Sequence, residues 1–339
     1  MASQPRERVP HPLLRILWGS IRFLIGVGLL AFLARSGIVD LETLKRLSQT
    51  WHITLAAVAL MGVDVLMMSL RLSWLLRSHG LHLPLGKSLQ LTFVSFFFTA
   101  FLPGSAGGAL AKLFYAAKEN AGRRTEIATV VIFDRAIGLF SLLILALVFV
   151  PFFPRLIAEV TALRILVLIT AILVAGLLVS LFVCLFDGSR PNRFLRNILG
   201  FLPWSDLAER AMETIGFYRR SPTTLLSALG ASLLANFSVV VVAALAVLAL
   251  HPAYFSLKMC LVIPLGYIAN SLPLTPGGLG VGESAFNSLF KLTGLGGGAD
   301  ALLCWRIWSL PIVILGFVFY LRGLGRSVHR LESDAPQQA

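Results

Sequence analysis

Ionisable residues that lie inside or directly beside long apolar segments of this sequence include Asp64, Asp134, Arg135, Glu283 and Arg306. Charged side chains in such surroundings are costly, so they are usually paired or functional. An arginine guanidinium can bind two phosphate oxygens at once. Arg135 or Arg306 is therefore the residue expected to contact a phosphate group, while the three carboxylates balance the positive charges or take up a proton.

The positions of these residues restrict how they can pair. Side chains of adjacent helical residues point about 100° apart, so Asp134 and Arg135 do not face each other. Each is expected to have its partner on another helix. Glu283 is expected close to Arg135 or Arg306, because an unpaired buried charge costs several kcal/mol. The alternative interpretation is a set of buried salt bridges that only fixes the packing of the helices.

Two clusters of proline and glycine interrupt apolar segments, and both residue types end helices. Glycine lets backbone amides and carbonyls approach a cavity, and a helix that starts after a break directs its positive dipole end there. The alternative role for these glycines is close helix packing. The residues of the two breaks are Pro103, Gly104, Gly107 and Gly108, and then Pro273, Pro276, Gly277, Gly278 and Gly280.

The sequence contains no pattern typical of a hydrolase or transferase, and no phosphate-binding loop for ATP. The three cysteines and six histidines are scattered without metal-ligand spacing. The glycine run at 278–282 follows no predicted strand, so it does not indicate a nucleotide site. We therefore expect no enzymatic activity, no metal and no cofactor.

Composition explains what must surround these residues. Of the 339 residues, 57% are hydrophobic and only 13% are charged. A soluble protein of this length needs a more charged exterior, so the exterior is expected to face lipid. The net charge of +13 is typical of basic cytoplasmic loops and of contact with anionic lipid headgroups. Without a basic patch rich in aromatic residues, it does not indicate nucleic-acid binding.

The predicted fold is an all-α polytopic membrane protein with six full spans and two re-entrant helical hairpins. A helical span needs about 20 apolar residues, and broken helices at membrane depth must be surrounded by protein or a watery cavity. The hairpins correspond to residues 85–118 and 256–293. The six spans are residues 14–33, 51–70, 127–149, 163–186, 225–250 and 301–321.

The distribution of basic residues predicts the orientation. With a cytoplasmic N-terminus and two re-entrant hairpins, 19 of the 29 Lys and Arg residues face the cytoplasm and seven face outward. This bias agrees with the positive-inside rule. Both termini are therefore placed in the cytoplasm. The cytoplasmic loop 187–222 contains apolar residues at helical spacing, which predicts an amphipathic helix at the membrane surface.

The two breaks share an ordered pattern, which indicates an inverted repeat. Residues 102–108 and 272–278 both follow the pattern L-P-x-[ST]-x-G-G without gaps. Three predicted spans separate them, so the two hairpins enter from opposite faces, as in transporters whose paired broken helices form a midplane binding site. The chain is predicted to be a single transmembrane domain over 1–339. Its repeat halves cover about 14–155 and 163–321, and a polar tail covers 323–339.

The motifs resemble those of the lysylphosphatidylglycerol synthase transmembrane family of bacterial flippase-like proteins. The resemblance extends over nearly the whole chain, and its most specific part is the second break ending at Glu283. It adds Lys112 and Arg71 to the candidate substrate-binding residues. One difference is Ala109, where the family often has an acidic residue. The matching segments are 70–76, 101–108, Lys112, Asp134-Arg135, 272–283 and Arg306.

The resemblance implies a bacterial inner-membrane protein that translocates or binds an anionic or isoprenoid-type lipid. Larger relatives carry a cytosolic domain that transfers lysine to phosphatidylglycerol, and this sequence does not contain it. A first alternative is an accessory or scaffold protein for an enzyme of a lipid-modifying, hopanoid or glycolipid pathway, docked on loop 187–222. A second alternative is an intramembrane lipid transferase with Glu283 as its acid or base. The partners implied are a membrane phospholipid or other amphipathic lipid and, for the scaffold, a lipid-pathway enzyme.

Overall fold

The computed structural model describes residues 41–81, 83–102, 106–119, 123–186, 221–272, 274–275 and 277–333. This part of the chain is helical and contains no strands. Its α-helices are α1 (Leu41–Gln49), α2 (Trp51–Ser78), α3 (Leu85–Phe101), α4 (Ala106–Glu119), α5 (Arg124–Val148), α6 (Pro154–Glu159), α7 (Thr161–Phe186), α8 (Pro222–Leu250), α9 (Met259–Asn270), α10 (Val281–Leu292) and α11 (Gly298–Ser333).

Five of these helices are long and apolar enough to cross a membrane: α2, α5, α7, α8 and α11. They correspond to five of the six predicted spans. The predicted span 14–33 and the predicted amphipathic helix in loop 187–222 lie outside the described residues, apart from 221 and 222. The chain is thus a multi-pass membrane protein, as the composition predicts, and its described residues form an all-helical fold.

Each predicted hairpin region consists of two short helices separated by a break. In the first region α3 ends at Phe101 and α4 begins at Ala106, and in the second α9 ends at Asn270 and α10 begins at Val281. The four helices have 17, 14, 12 and 12 residues, fewer than the ~20 residues a full span needs. Within each region the two helices pack against each other.

The packing joins the first half of the chain to the second. The long helices α2 and α8 pack against each other at the centre. Around them, α3 of the first broken region packs against α11, and α9 of the second broken region packs against α5. Because apolar side chains gain little from leaving lipid for protein, such contacts depend mainly on close van der Waals packing.

The helix α7 lies at the periphery. It packs mainly against α5 and α6, and many of its large apolar side chains are exposed, with Ile172 70% accessible. An exposed apolar surface of this kind is suited to lipid. The central helices therefore position the candidate site, and α7 contributes to the lipid-facing exterior.

Two helices continue beyond the ends of the predicted spans, and one of these extensions contains Arg71. The second span was predicted to end at Leu70, but α2 continues to Ser78. Arg71 is therefore inside α2, and Lys112 lies inside α4 of the first broken region; each is only 4% exposed. The charge count above includes both residues among the 19 on the cytoplasmic side. The prediction missed this because a basic residue after an apolar run marks a span end only when no partner is available inside the protein. The last helix also continues to Ser333, into the segment predicted to be a polar tail.

Candidate functional site

A cavity of about 300 Å³ lies between the two broken regions. Residues of α2, α3, α4, α5, α8, α9 and α11 line it, together with Ser271 and Gly277 from the second break. Six of the seven predicted substrate-binding residues contribute to the lining: Asp64, Arg71, Lys112, Asp134, Arg135 and Arg306. The seventh, Glu283, does not line the cavity but forms an ion pair with Arg306, which does.

Asp134 binds two cations from different helices. Its Oδ1 accepts a hydrogen bond from Arg71 Nε at 2.6 Å, and its Oδ2 accepts one from Lys112 Nζ at 3.1 Å. All three side chains are buried. This ion cluster links α2, α4 and α5, and one carboxylate shared by two cations leaves it with a net positive charge.

The Arg71 guanidinium is held from two further directions. Its Nη1 donates to Ser232 Oγ on α8 at 2.6 Å. Gly138 on α5 gives it room, because a Cβ at that position would lie 3.3 Å from the same nitrogen. The side chain of Arg71 is therefore fixed against both α5 and α8.

A second ion pair holds the second break. Arg306 Nε on α11 donates to Glu283 Oε1 at 2.8 Å, while Nη1 donates to the Gly277 carbonyl at 2.7 Å. Glu283 Oε2 accepts from the Gly280 amide at 2.7 Å, at the start of α10. Arg306 Nη2 lies 3.4 Å from Asn270 Oδ1. The pairing expected for Glu283 is thus made with Arg306, and it ties α11 to the turn that precedes α10.

The two ion pairs occupy equivalent positions in the two halves of the chain, but the positions of the cation and the carboxylate are exchanged. In the first half Lys112 on α4 pairs with Asp134 on α5, 22 residues later. In the second half Glu283 on α10 pairs with Arg306 on α11, 23 residues later. In both cases the helix after a break is bound to the long helix that follows it.

The two breaks contact each other directly. The Gly277 amide donates to the Leu102 carbonyl at 3.1 Å. Gly277 has φ of +57°, and a Cβ there would lie 2.6 Å from the Ala100 carbonyl oxygen. A side chain is therefore excluded both by the backbone conformation and by the approach of α3. The residues Pro103, Gly104, Pro273 and Pro276 lie outside the described part of the chain.

The glycines of the first break serve close packing. A Cβ on Gly107 would lie 2.5 Å from Leu102 Cβ, and one on Gly108 would collide with Ser95 and Thr99. Neither glycine lines the cavity, so for this pair the packing alternative explains the residue type. Of the predicted break glycines described, Gly277 is the one that presents its backbone to the cavity.

We expect Gly277→Ala to destabilise the protein clearly more than Gly280→Ala. Both glycines have positive φ, +57° and +79°, so each substitution includes a similar backbone strain of about 1 kcal/mol. Only at Gly277 does the new Cβ collide with neighbouring atoms, since nothing lies within 4 Å at Gly280. Overpacking adds about 1–3 kcal/mol. Thermal unfolding of both variants in detergent would measure the difference, and equal losses would contradict the importance of the contact between the breaks.

Arg135 and Asp64 differ from the other charged residues of the cavity. Arg135 is half-buried and makes no hydrogen bond or ion pair with any residue that the structure describes. The expected partner on another helix is therefore missing from this part of the chain. Asp64 is 7% exposed and has no hydrogen bond or ion pair within the described ranges. The cavity thus contains one cation and one carboxyl group without a direct partner there.

The polar residues of this region that sequence reasoning missed include Ser232, Asn270, Tyr267 and Trp305. Ser232 and Asn270 bind Arg71 and Arg306. Tyr267 Oη and Trp305 Nε1 are buried and have no hydrogen-bond partner among the described residues, and both residues line the cavity. Of these four, only Asn270 could have been identified from the sequence, because it is a polar amide at the end of an apolar run, directly before a break.

The chain matches a protein-family model. Residues 19–316 match the family described as "Lysylphosphatidylglycerol synthase TM region". The search of curated proteins and the search of solved structures each found no match.

Proposed function

The chain belongs to the lysylphosphatidylglycerol synthase transmembrane-region family, and from this premise we propose that it binds and translocates an anionic or isoprenoid-type lipid. The headgroup would enter the cavity between the two broken regions while the acyl or isoprenoid chains stay in the membrane. The family supports a lipid-related role in a membrane. The finer assignment depends on the chemistry of the cavity.

The observation that carries the proposal is the guanidinium of Arg135. Arg71 and Lys112 share Asp134, and Arg306 is occupied by Glu283 and the Gly277 carbonyl. Arg135 alone among these cations has no acceptor in the described part of the chain. A half-buried guanidinium without an acceptor is costly, and a phosphate oxygen of a lipid headgroup would satisfy it.

Two further donors, on residues that also line the cavity, favour the same class of ligand. Tyr267 Oη and Trp305 Nε1 also lack acceptors among the described residues. Indole N–H is only a donor, and guanidinium is only a donor. A ligand rich in acceptor oxygens, such as a phosphate group, would complement these groups. The described cations of the cavity outnumber its carboxylates even when Glu283 is included, which favours an anion.

The proposal includes two re-entrant hairpins related as an inverted repeat. Two packing contacts support this relation, that of α3 with α11 and that of α9 with α5. An operation that superposes one repeat half on the other converts the first contact into the second. The two ion pairs, in which the cation and the carboxylate are exchanged, occupy equivalent positions under the same operation. Because both breaks meet beside the cavity, a headgroup would contact both repeats, as in other transporters with paired broken helices.

The geometry gives less support to an intramembrane transferase. An acid or base needs a carboxylate oxygen that can reach the substrate. Both oxygens of Glu283 already accept hydrogen bonds, from Arg306 and from the Gly280 amide. Glu283 also does not line the cavity. We therefore propose that Glu283 positions the break and that the protein moves lipid without chemical change.

Lipid movement can be tested with purified protein in vesicles. We expect the protein to transfer fluorescently labelled phosphatidylglycerol between leaflets, measured by chemical quenching of the outer leaflet. Labelled phosphatidylcholine should move more slowly, because its headgroup has no net charge. Protein-free vesicles give the background. Equal, background-level movement of both lipids in vesicles that contain folded protein would refute the proposal.

The proposed orientation places both termini and the basic loops in the cytoplasm of a bacterial inner membrane. In a variant without its natural cysteines, single cysteines near Arg124 and Arg326 should be protected from an impermeant thiol reagent added to whole cells. Cysteines near Lys45 and Pro252 should react. Modification near Arg124 in intact cells would reverse or exclude this topology.

A further inference from the structure

We propose that Asp64 is a proton-binding site coupled to the anionic headgroup, so that ligand binding in the cavity is accompanied by proton uptake. The inference rests on the proposed function, because it needs an anion in the cavity. It adds an energy source: a proton gradient could then drive lipid movement.

The location of Asp64 is the first argument. It is the fourteenth residue of the 28-residue helix α2, which places it at the middle of a membrane-spanning segment. Its side chain is buried and lines the cavity. Ionisable residues at membrane depth that face a cavity commonly act in proton or ion pathways.

The absence of a direct partner is the second argument. Asp134 and Glu283 form direct ion pairs with cations, whereas Asp64 has no such bond to any described residue. Nearby cations favour its charged form and burial favours its neutral form. Asp64 is therefore the carboxyl group of the cavity whose protonation can respond to a small change of local charge.

The surroundings determine the direction of that response. The titratable and charged groups that face the cavity are Arg71 on the same helix, Lys112 on α4, Asp134 and Arg135 on α5, Tyr267 on α9 and Arg306 on α11. The helices α3 and α8 contribute only uncharged residues to the lining, and α1 contributes none.

Arg71 lies seven residues after Asp64 on the same helix face, about 10 Å along the axis. In the empty cavity burial favours the neutral form of Asp64, and the charges of Arg71 and Lys112 oppose this effect. An anion that binds at Arg135 adds negative charge to the same cavity, and low polarity transmits this effect over such distances. Ligand binding therefore favours the neutral carboxylic acid. By linkage, protonation of Asp64 strengthens anion binding to the same extent.

Proton uptake by Asp64 would compensate the charge of the bound headgroup. A phosphodiester brings one negative charge, and a proton on Asp64 removes one from the protein. The occupied cavity then carries the same net charge as the empty one, which lowers the cost of moving the headgroup through the membrane. No covalent bond is made or broken in this step.

Proton uptake can be measured by calorimetry on the full-length protein in detergent. Dihexanoyl phosphatidylglycerol is titrated in at least two buffers of different ionisation enthalpy at the same pH. The dependence of the observed heat on the buffer gives the number of protons taken up. We expect uptake by the wild type, of up to one proton per ligand, in a series of titrations at different pH values.

Two variants locate the proton. Asp64→Asn keeps the size of the side chain and should bind the lipid without proton uptake, with an affinity that no longer falls as the pH rises. Asp300→Asn is the matched control, since Asp300 is a partly exposed carboxylate that pairs with His251 and does not line the cavity. It should retain the wild-type uptake.

A second probe distinguishes a lipid from a soluble phosphodiester. Dimethyl phosphate has the same monoanionic group without acyl chains. Proton uptake with both probes supports the proton site and shows that the phosphodiester is sufficient, whereas uptake with the lipid alone shows that the chains are needed. A wild type that binds either probe without uptake, or uptake that persists in Asp64→Asn, overturns the inference. Absence of all binding refutes the proposed function, and the inference with it.

Discussion

Arg135→Gln is expected to reduce the movement of labelled phosphatidylglycerol in vesicles by about 10- to 100-fold, because a hydrogen bond to a charged group contributes about 1.5–3 kcal/mol. The stability of the protein should change little. Arg135 makes no hydrogen bond or ion pair with the described residues, so no partner among them loses its bond. Leaflet transfer and thermal unfolding in detergent measure the two effects separately.

Arg124→Gln is the matched control for this variant. Arg124 lies on the same helix, α5, and its side chain is exposed, so the same loss of charge occurs away from the cavity. Arg124→Gln should move phosphatidylglycerol at the wild-type rate. Wild-type transfer by Arg135→Gln would exclude Arg135 as a headgroup ligand, and a loss as large in Arg124→Gln would attribute the effect to surface charge.

Asp134→Asn is expected to destabilise the protein by about 3–5 kcal/mol, the usual cost of leaving a buried charge without its partner. The substitution removes one carboxylate from two cations at once, Arg71 and Lys112, and each of the three side chains is about 4% exposed. Thermal unfolding and size-exclusion chromatography in detergent should show a lower midpoint and less monodisperse protein.

A second substitution tests whether unpaired charge is the cause. Lys112→Gln introduced into Asp134→Asn removes one of the two stranded cations, while Arg71 keeps its bond to Ser232. The double variant should therefore be more stable than Asp134→Asn alone. Asp300→Asn, at a partly exposed carboxylate, should lose no more than about 1 kcal/mol. If Asp134→Asn is as stable as Asp300→Asn, the ion cluster does not stabilise the fold.

The spans and breaks could be predicted because they depend on local properties of the chain. An apolar run of sufficient length specifies a span, and proline with paired glycines specifies where a helix stops. The pairing of Glu283 with an arginine followed from the cost of isolated charge. These arguments need no knowledge of which helices are neighbours.

The remaining features depend on tertiary contacts. Arg71 was placed in a loop because its partners, Asp134 and Ser232, lie 63 and 161 residues away. The role of Gly108 became clear only from the positions of Ser95 and Thr99. Arg135 and Arg306 were equivalent candidates in the sequence. The structure separates them, because Arg306 is occupied by Glu283 and Arg135 has no described acceptor.

The hydrogen bond between Gly277 and Leu102 has a consequence for biogenesis. The two residues are 175 positions apart (277 − 102), so at about 5–20 residues per second the ribosome needs about 10–35 s to synthesise the second after the first. During that interval the Leu102 carbonyl lacks the amide that it accepts in the finished protein. During the same interval the helices α2, α3 and α5 lack their packing partners α8, α11 and α9. The nascent first half must therefore reside in the membrane as an incomplete assembly, in which the translocon, lipid or water substitutes for the second half until translation ends.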